Sequence, residues 1–314
     1  MRARSRRFLL ALCLLAPAGA LCQAPEPEPG PAPALAPAPA RILARKYVEG
    51  ETVAYEMRAT NQSRARTLKY SARANGVVRK EPGSGFYEEL EWTALVVDGN
   101  PVELPQPSRI FRERLSLAAD AVMRVPSLAQ LHPNLIGPVL DLLNIYADLA
   151  LAARMDGLAN AGDHVRFDHN RPNSWADGRF VLVGEDAIDF DITLGELDRA
   201  GKTATLIVRH VPPASPAIRL TAEWMRKPVA ATANNWTQVA TYAPGKYTAA
   251  VGSELIEVRI VVDLSTGRIL SATMENPVEV LERECEDLEA KRCGEPVRYR
   301  IIRTIELVPV PASS

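Results

Sequence analysis

Histidine is the side chain best suited to moving protons near neutral pH, and this chain has only His132, His164, His169 and His210. In the run 203–211, Ala204, Leu206, Val208 and His210 recur at every second position. A strand would therefore turn His210 inward, beside Val211-Pro212-Pro213. An inward histidine at a strand end acts as a general base or ligand, or it is a hydrogen-bonded core residue at a sheet margin. His164, Asp168 and His169 lie close together, with Asp189 and Asp191 in a later alternating run. These are zinc-ligand types. Their spacing is poor, because His164 and Asp168 fall on one strand face and His169 on the other. The two aspartates also alternate with apolar residues, as solvent-facing positions do, so no metal or other cofactor is expected.

Motifs that would activate a nucleophile are missing: there is no G-x-S-x-G elbow and no H-E-x-x-H. No glycine cluster offers a phosphate cradle between a strand and a helix. Asp141 and Asp148 stand seven residues apart in a helical run, about 10 Å along its axis. They are either a carboxylate pair for acid–base work or a solvated or capped polar stripe, and the stripe is the expectation. The irregular stretch 212–236 carries Trp224, Met225, Trp236 and several prolines. Loops of this kind bind ligands, which makes His210, Trp224 and Trp236 the candidate ligand-binding residues. Against this, the same aromatic residues would serve to close one end of a core.

These residues need a frame, and period-2 alternation supplies it. Ile188, Phe190, Ile192 and Leu194 share a face, as do Ile256, Val258, Ile260 and Val262. So do Val53, Tyr55, Met57 and Ala59; Leu68, Tyr70, Ala72 and Ala74; Leu90, Trp92, Ala94 and Val96; and Tyr299, Ile301, Ile305 and Leu307. Such runs mark half-buried antiparallel strands. Asn75-Gly76, Pro82-Gly83-Ser84-Gly85, Asp98-Gly99, Asp177-Gly178 and Ser265-Thr266-Gly267 read as the turns between them. One run breaks the pattern, an apolar helix at about 138–156 between Pro138 and Gly157. Its two aspartates and Arg154 argue against a membrane span, so it must be covered by a sheet. The expected fold class is α+β and mainly antiparallel β, with a curved sheet or half-open barrel packed around the helix. A two-sheet β-sandwich with an inserted helix is the alternative. In that arrangement the chain resembles, by fold analogy alone, the broad group of periplasmic lipid- or lipoprotein-handling proteins, and fold does not decide function.

Residues 1–24 have the parts of a secretory signal: Arg2, Arg4, Arg6 and Arg7, then an apolar run from Phe8 to Leu15, then small residues with cleavage expected after Ala20 or Ala24. Ser5-Arg6-Arg7-Phe8-Leu9-Leu10 also looks like a twin-arginine motif, and the export route stays open. Leu21 before Cys22 disfavours a lipoprotein anchor. Residues 25–41 alternate Pro and Ala and read as a stiff polyproline tether, leaving 42–310 as a single domain and 311–314 as a tail. Loss of the signal removes four Arg and no acid, moving the formal charge from −1 to −5. That disfavours nucleic acid as a partner. Cys285 and Cys293 bracket a charged stretch and are expected to form a disulfide in an oxidising compartment.

The expectation is an exported protein, periplasmic or extracellular, with no transmembrane segment in the mature chain. It would bind an apolar small molecule or an envelope protein without catalysis. A hydrolase using His210 or His164 as base and a structural assembly component are the alternatives.

Overall fold

Alternating apolar residues bury one face of each strand, and here the strands join into a single, mostly antiparallel sheet that does not close. The structure is a computed structural model. It describes residues 41–63, 66–83, 85–118, 126–128, 131–168, 173–176, 180–185, 188–212, 222–226 and 232–311. The signal segment, the linker apart from Arg41, His169, the Asp177-Gly178 turn, much of the 212–236 loop and residues 312–314 lie outside the described residues. Ala40–Ser314 is one unit by its internal contacts.

The elements run Thr52–Gln62 (β1), Thr67–Glu81 (β2), Gly85–Val97 (β3), Asn100–Pro101 (β4), Gln106–Ile110 (α1), Glu113–Leu115 (β5) and Pro133–Arg154 (α2). There follow His164–Asp168 (β6), Asn173–Ala176 (β7), Phe180–Glu185 (β8), Asp189–Asp198 (β9) and Thr203–Val211 (β10). The last elements are Asn234–Ala243 (β11), Lys246–Glu254 (β12), Ile256–Asp263 (β13), Ile269–Cys285 (β14) and Val297–Pro309 (β15). Strand order is β4-β3-β2-β1-β15-β14, after which the sheet forks. One branch is β13-β10-β9-β6 and the other is β12-β11-β8-β7.

The fork has a local cause. β12 and β13 pair with β14 in one continuous register, Glu254 opposite Val278 and Glu257 opposite Glu275. Between them Leu255 faces Pro277, which has no N–H for the ladder. Only the reverse bond is made there, Leu255 N–H to Pro277 O at 3.2 Å. Beyond that point β10 takes the edge of β13, while β11 takes the edge of β12.

The helix begins earlier than expected. His132 caps it, its Nδ1 accepting from the Asn134 N–H at 3.2 Å, and Pro133 occupies the first turn, where a missing N–H costs nothing. Pro138 is inside the helix. The helix stops at Arg154, and Gly157 follows at φ +97°. With 22 residues α2 is about 33 Å long. By length and composition it could cross a bilayer, yet 67% of its most apolar window is buried within this fold. Leu135, Val139, Leu142, Ile145, Tyr146 and Leu149 pack with Met57, Leu90, Ile192, Leu206, Val258, Ile260 and Leu307 in one core.

Two strand readings need correction. Asn75-Gly76 is not a turn, because β2 runs through it and turns at Pro82-Gly83. Glycine is required there by close approach, since a Cβ on Gly76 would sit 2.8 Å from the backbone oxygen of Glu89 and press on the Leu90 side chain. In β3, Trp92 pairs with Ala74 but Ala94 pairs with Arg73, leaving Thr93 as a bulge. The inward phase therefore shifts, and Leu95 is buried where Ala94 and Val96 were expected.

Candidate functional site

Asp141 and Asp148 lie on the buried side of α2, 0% and 2% exposed. Of the expected solvated or capped stripe, the solvated form is thus overturned. Carboxylates in such a place need partners, and each finds one on the sheet. In β15 the inward phase runs Tyr299, Ile301, Arg303, Ile305 and Leu307, so Arg303 enters the core where an apolar residue would ordinarily stand. Its Nη2 donates to Asp141 Oδ1, and the Tyr70 hydroxyl from β2 donates to Oδ2. Burial pushes the Asp141 carboxyl up, while Arg303 and Tyr70 pull it down. Burial likewise disfavours the Arg303 cation, but Asp141 raises it on balance. Two turns further along α2, His210 on β10 points inward as its phase requires. Its Nε2 lies 3.0 Å from Asp148 Oδ1, and the Phe190 ring meets it edge-on at 4.8 Å.

Between these two pairs the sheet forks, and the polar residues beside the fork join them. Asn276 Nδ2 donates to Glu254 Oε2 at 3.2 Å. Glu254 also accepts from the Trp236 side chain and lies within the fields of His210 and Arg303. Burial raises its carboxyl, and those neighbours oppose the rise. The Trp236 ring lies against the backbone of Gly252 on the adjacent strand, where a Cβ would come within 2.1 Å of Cε2. The result is a polar seam from Tyr70 through Asp141, Arg303, Asn276, Glu254 and His210 to Asp148, with Trp236 at its outer margin.

The opposite side of α2 carries a second network. Tyr146 donates to Glu88 Oε2, Tyr55 Oη lies 2.7 Å from Tyr146 Oη, and Arg45 reaches Glu88 at 3.5 Å and Glu51 at 2.7 Å. This network anchors the helix to β1 and β3. Nearby, the Trp92 indole donates to Glu113 Oε2 at 2.9 Å. Burial pushes the Glu113 carboxyl up to about 8, against the lowering effect of Trp92.

The other candidates are dispersed. His164 sits on β6, its Nε2 2.7 Å from Asp191 Oδ1, at the surface. Asp189 is not the solvent-facing residue expected; it is buried, and Arg166 on the neighbouring β6 donates to it at 2.9 Å. Trp224 lies in the 3-10 turn Glu223–Arg226, on the opposite face of β12 from Trp236. Its indole donates to Ala290 O at 2.9 Å, and Met225 is buried beside it. Of His210, Trp224 and Trp236, the structure brings the first and last to one seam and leaves Trp224 out. Cys285 and Cys293 are bonded at 1.99 Å, and Ala290 within their loop closes over Trp224. No group of three or more metal-ligating side chains occurs among the described residues.

Sequence reasoning missed Arg303, Glu254, Asn276 and Tyr70 as members of the seam. A usable signal was present for Arg303: it is a cation in the apolar phase of an alternating strand, in a chain whose buried helix carries two aspartates. What the seam offers chemically is buried hydrogen bonding around a fork and a half-open aromatic surface beside it. No protein-family model matches the sequence, and no curated protein matches it.

Proposed function

We propose that the protein is an exported, non-enzymatic binding component of the cell envelope that takes an envelope partner or an apolar ligand outside its main core. In this reading the sheet curves around α2 as a half-open barrel, and the helix occupies the interior. The contrast along β15 carries the reading. Ile305 and Leu307 are buried under α2, while Tyr299 and Ile301 remain partly exposed and Val297 is 52% exposed. Contiguous exposed apolar residues of this kind mark interaction surfaces. Export to the periplasm or beyond is supported by the Cys285–Cys293 disulfide, since such bonds persist in oxidising compartments.

The test is co-sedimentation of the mature chain with envelope fractions of its own cell, alongside native mass spectrometry of the purified protein. Retention on the envelope, weakened by Trp236→Ala, is the expected result. Absence of retention together with absence of any co-purified ligand would overturn the reading. A hydrolase is the second reading, favoured by the carboxylate beside each of His210 and His164. Turnover of envelope material that His210→Gln abolishes, with folding intact, would put it first.

A further inference from the structure

We infer that the inner face of the β11-β12-β14-β15 wing is a binding site for a neutral saccharide of the envelope, with one sugar ring stacked on Trp236 and its hydroxyls held by Asn234, Asn276 and Glu254. The inference rests on the binding reading above and names its ligand class.

The first observation is the platform. Trp236 pairs across to Gly252, Gly252 to Val280, and Val280 to Tyr299, so the four form one row across the wing on the same face. Glycine in the second place lets the indole lie down on the strand. Glu254 holds the Trp236 side chain from one end, and the Tyr299 hydroxyl donates to Glu282 Oε2 at 3.1 Å. Trp236 and Tyr299 both remain partly exposed. The rings are therefore held by packing and hydrogen bonds before any ligand arrives, which lowers the ordering cost of binding.

The second observation is unmet hydrogen-bonding capacity beside that platform. Asn234 precedes Trp236 by two residues on the same strand face and pairs laterally with Glu254. It is only 4% exposed, yet neither its Oδ1 nor its Nδ2 has a hydrogen-bond partner among the described residues. Asn276 Oδ1 and Arg303 Nε, in the adjoining part of the seam, are also without partners. Buried amides in this state are destabilising, so a residue kept there has a use that folding does not explain.

The ligand class follows from combining the two. A purely apolar ligand would cover Trp236 but leave the Asn234 amide unsatisfied. An anion would meet Glu254 and Glu282, and the arginine of the seam, Arg303, is already paired with Asp141. A pyranose offers a face of C–H bonds to the negative face of the indole and an edge of hydroxyls, each able to donate and accept. A carboxamide that can donate and accept is its matching partner.

The experiment is calorimetric titration of the full mature protein with cellotetraose, maltotetraose and tetra-N-acetylchitotetraose, followed also by tryptophan fluorescence. At least one should bind with Kd below about 10 mM. Trp236→Ala and Asn234→Ala should each weaken it by about tenfold or more. Asn234→Ala should leave Tm unchanged or raise it, because it removes a buried unpaired amide. That separates a binding role from a structural one even if Trp236→Ala folds poorly. Failure of all three sugars to bind, or unchanged affinity in Asn234→Ala, would overturn the inference. If the protein still sediments with envelope fractions when the sugars fail, the binding reading survives and only the saccharide falls; if both fail, both fall.

Discussion

The two branches of the sheet are made from the same kind of strand but treat their inner faces differently. On the β13-β10-β9 branch, Val258, Ile260, Leu206, Val208, Ile192 and Leu194 pack into the helix core. On the β12-β11 branch a smaller cluster of Ala250, Val278 and Val280 is bordered by Trp236, Tyr299 and Ile301, all partly exposed. The outer face of that second branch is closed by the Glu223–Arg226 turn and the disulfide loop. Alternation alone makes a strand with one apolar face. Whether that face becomes core or contact surface depends on what lies over it, and α2 supplies cover on one side of the fork.

Substitutions should respond differently on the two sides. The largest loss is expected where α2 meets β15. Arg303→Met leaves Asp141 buried without its cation and should cost roughly 3–5 kcal/mol. The double change with Asp141→Leu should recover most of that. Urea unfolding of the three variants measures it, and a double variant no better than the single one would deny that the pair is matched.

A similar scale applies to Glu113, but with pH as the variable. Burial holds its carboxyl at about 8 in the fold, against the ordinary 4.5 when exposed. The unfolded chain therefore loses this proton first as pH rises, and stability falls from about pH 4.5 to about pH 8, then levels. Over that window the fall is on the order of 5 kcal/mol. Glu113→Gln should remove this component and leave those of Glu88, Asp141 and Glu254, which are raised in the same sense. Unfolding at pH 5 and pH 8 decides it.

Effects on the second branch should be smaller and more local. Replacing Cys285 and Cys293 by Ser removes the closure of an eight-residue separation and should cost roughly 2–3 kcal/mol. Hydrogen exchange should speed up in β11, β12 and the end of β14 before the helix core opens. Trp236→Ala, at a partly exposed site, should cost about 1–2 kcal/mol, against roughly 2–5 kcal/mol for Leu142→Ala under the sheet. Equal losses would erase the distinction between core and surface. At the outer edge, His164→Gln removes an exposed pair and should change stability by less than about 1 kcal/mol.

Much of this frame was legible in the residues. The phases of β1, β10 and β13 follow directly from alternation, and His210 points inward because its position requires it. Cys285 and Cys293 were the natural pair in the folded domain. The bulge at Thr93 was not legible, since an inserted residue leaves the pattern on either side looking regular. Nor was the true course of β2, because Asn75-Gly76 has turn chemistry and only the close approach of β3 at Glu89 and Leu90 explains the glycine.

The sequence by itself determined a β-rich chain with one apolar helix and one bonded cysteine pair, because period, composition and short separations are local properties. The tertiary structure alone decided that Asp141 meets an arginine 162 positions away and Asp148 a histidine 62 positions away. It also decided that Pro277 faces Leu255 and divides the sheet, and that Trp236 lies flat beside an unsatisfied asparagine. These are pairings between distant strands. Alternation states which face a residue takes, but only register and packing select its neighbour.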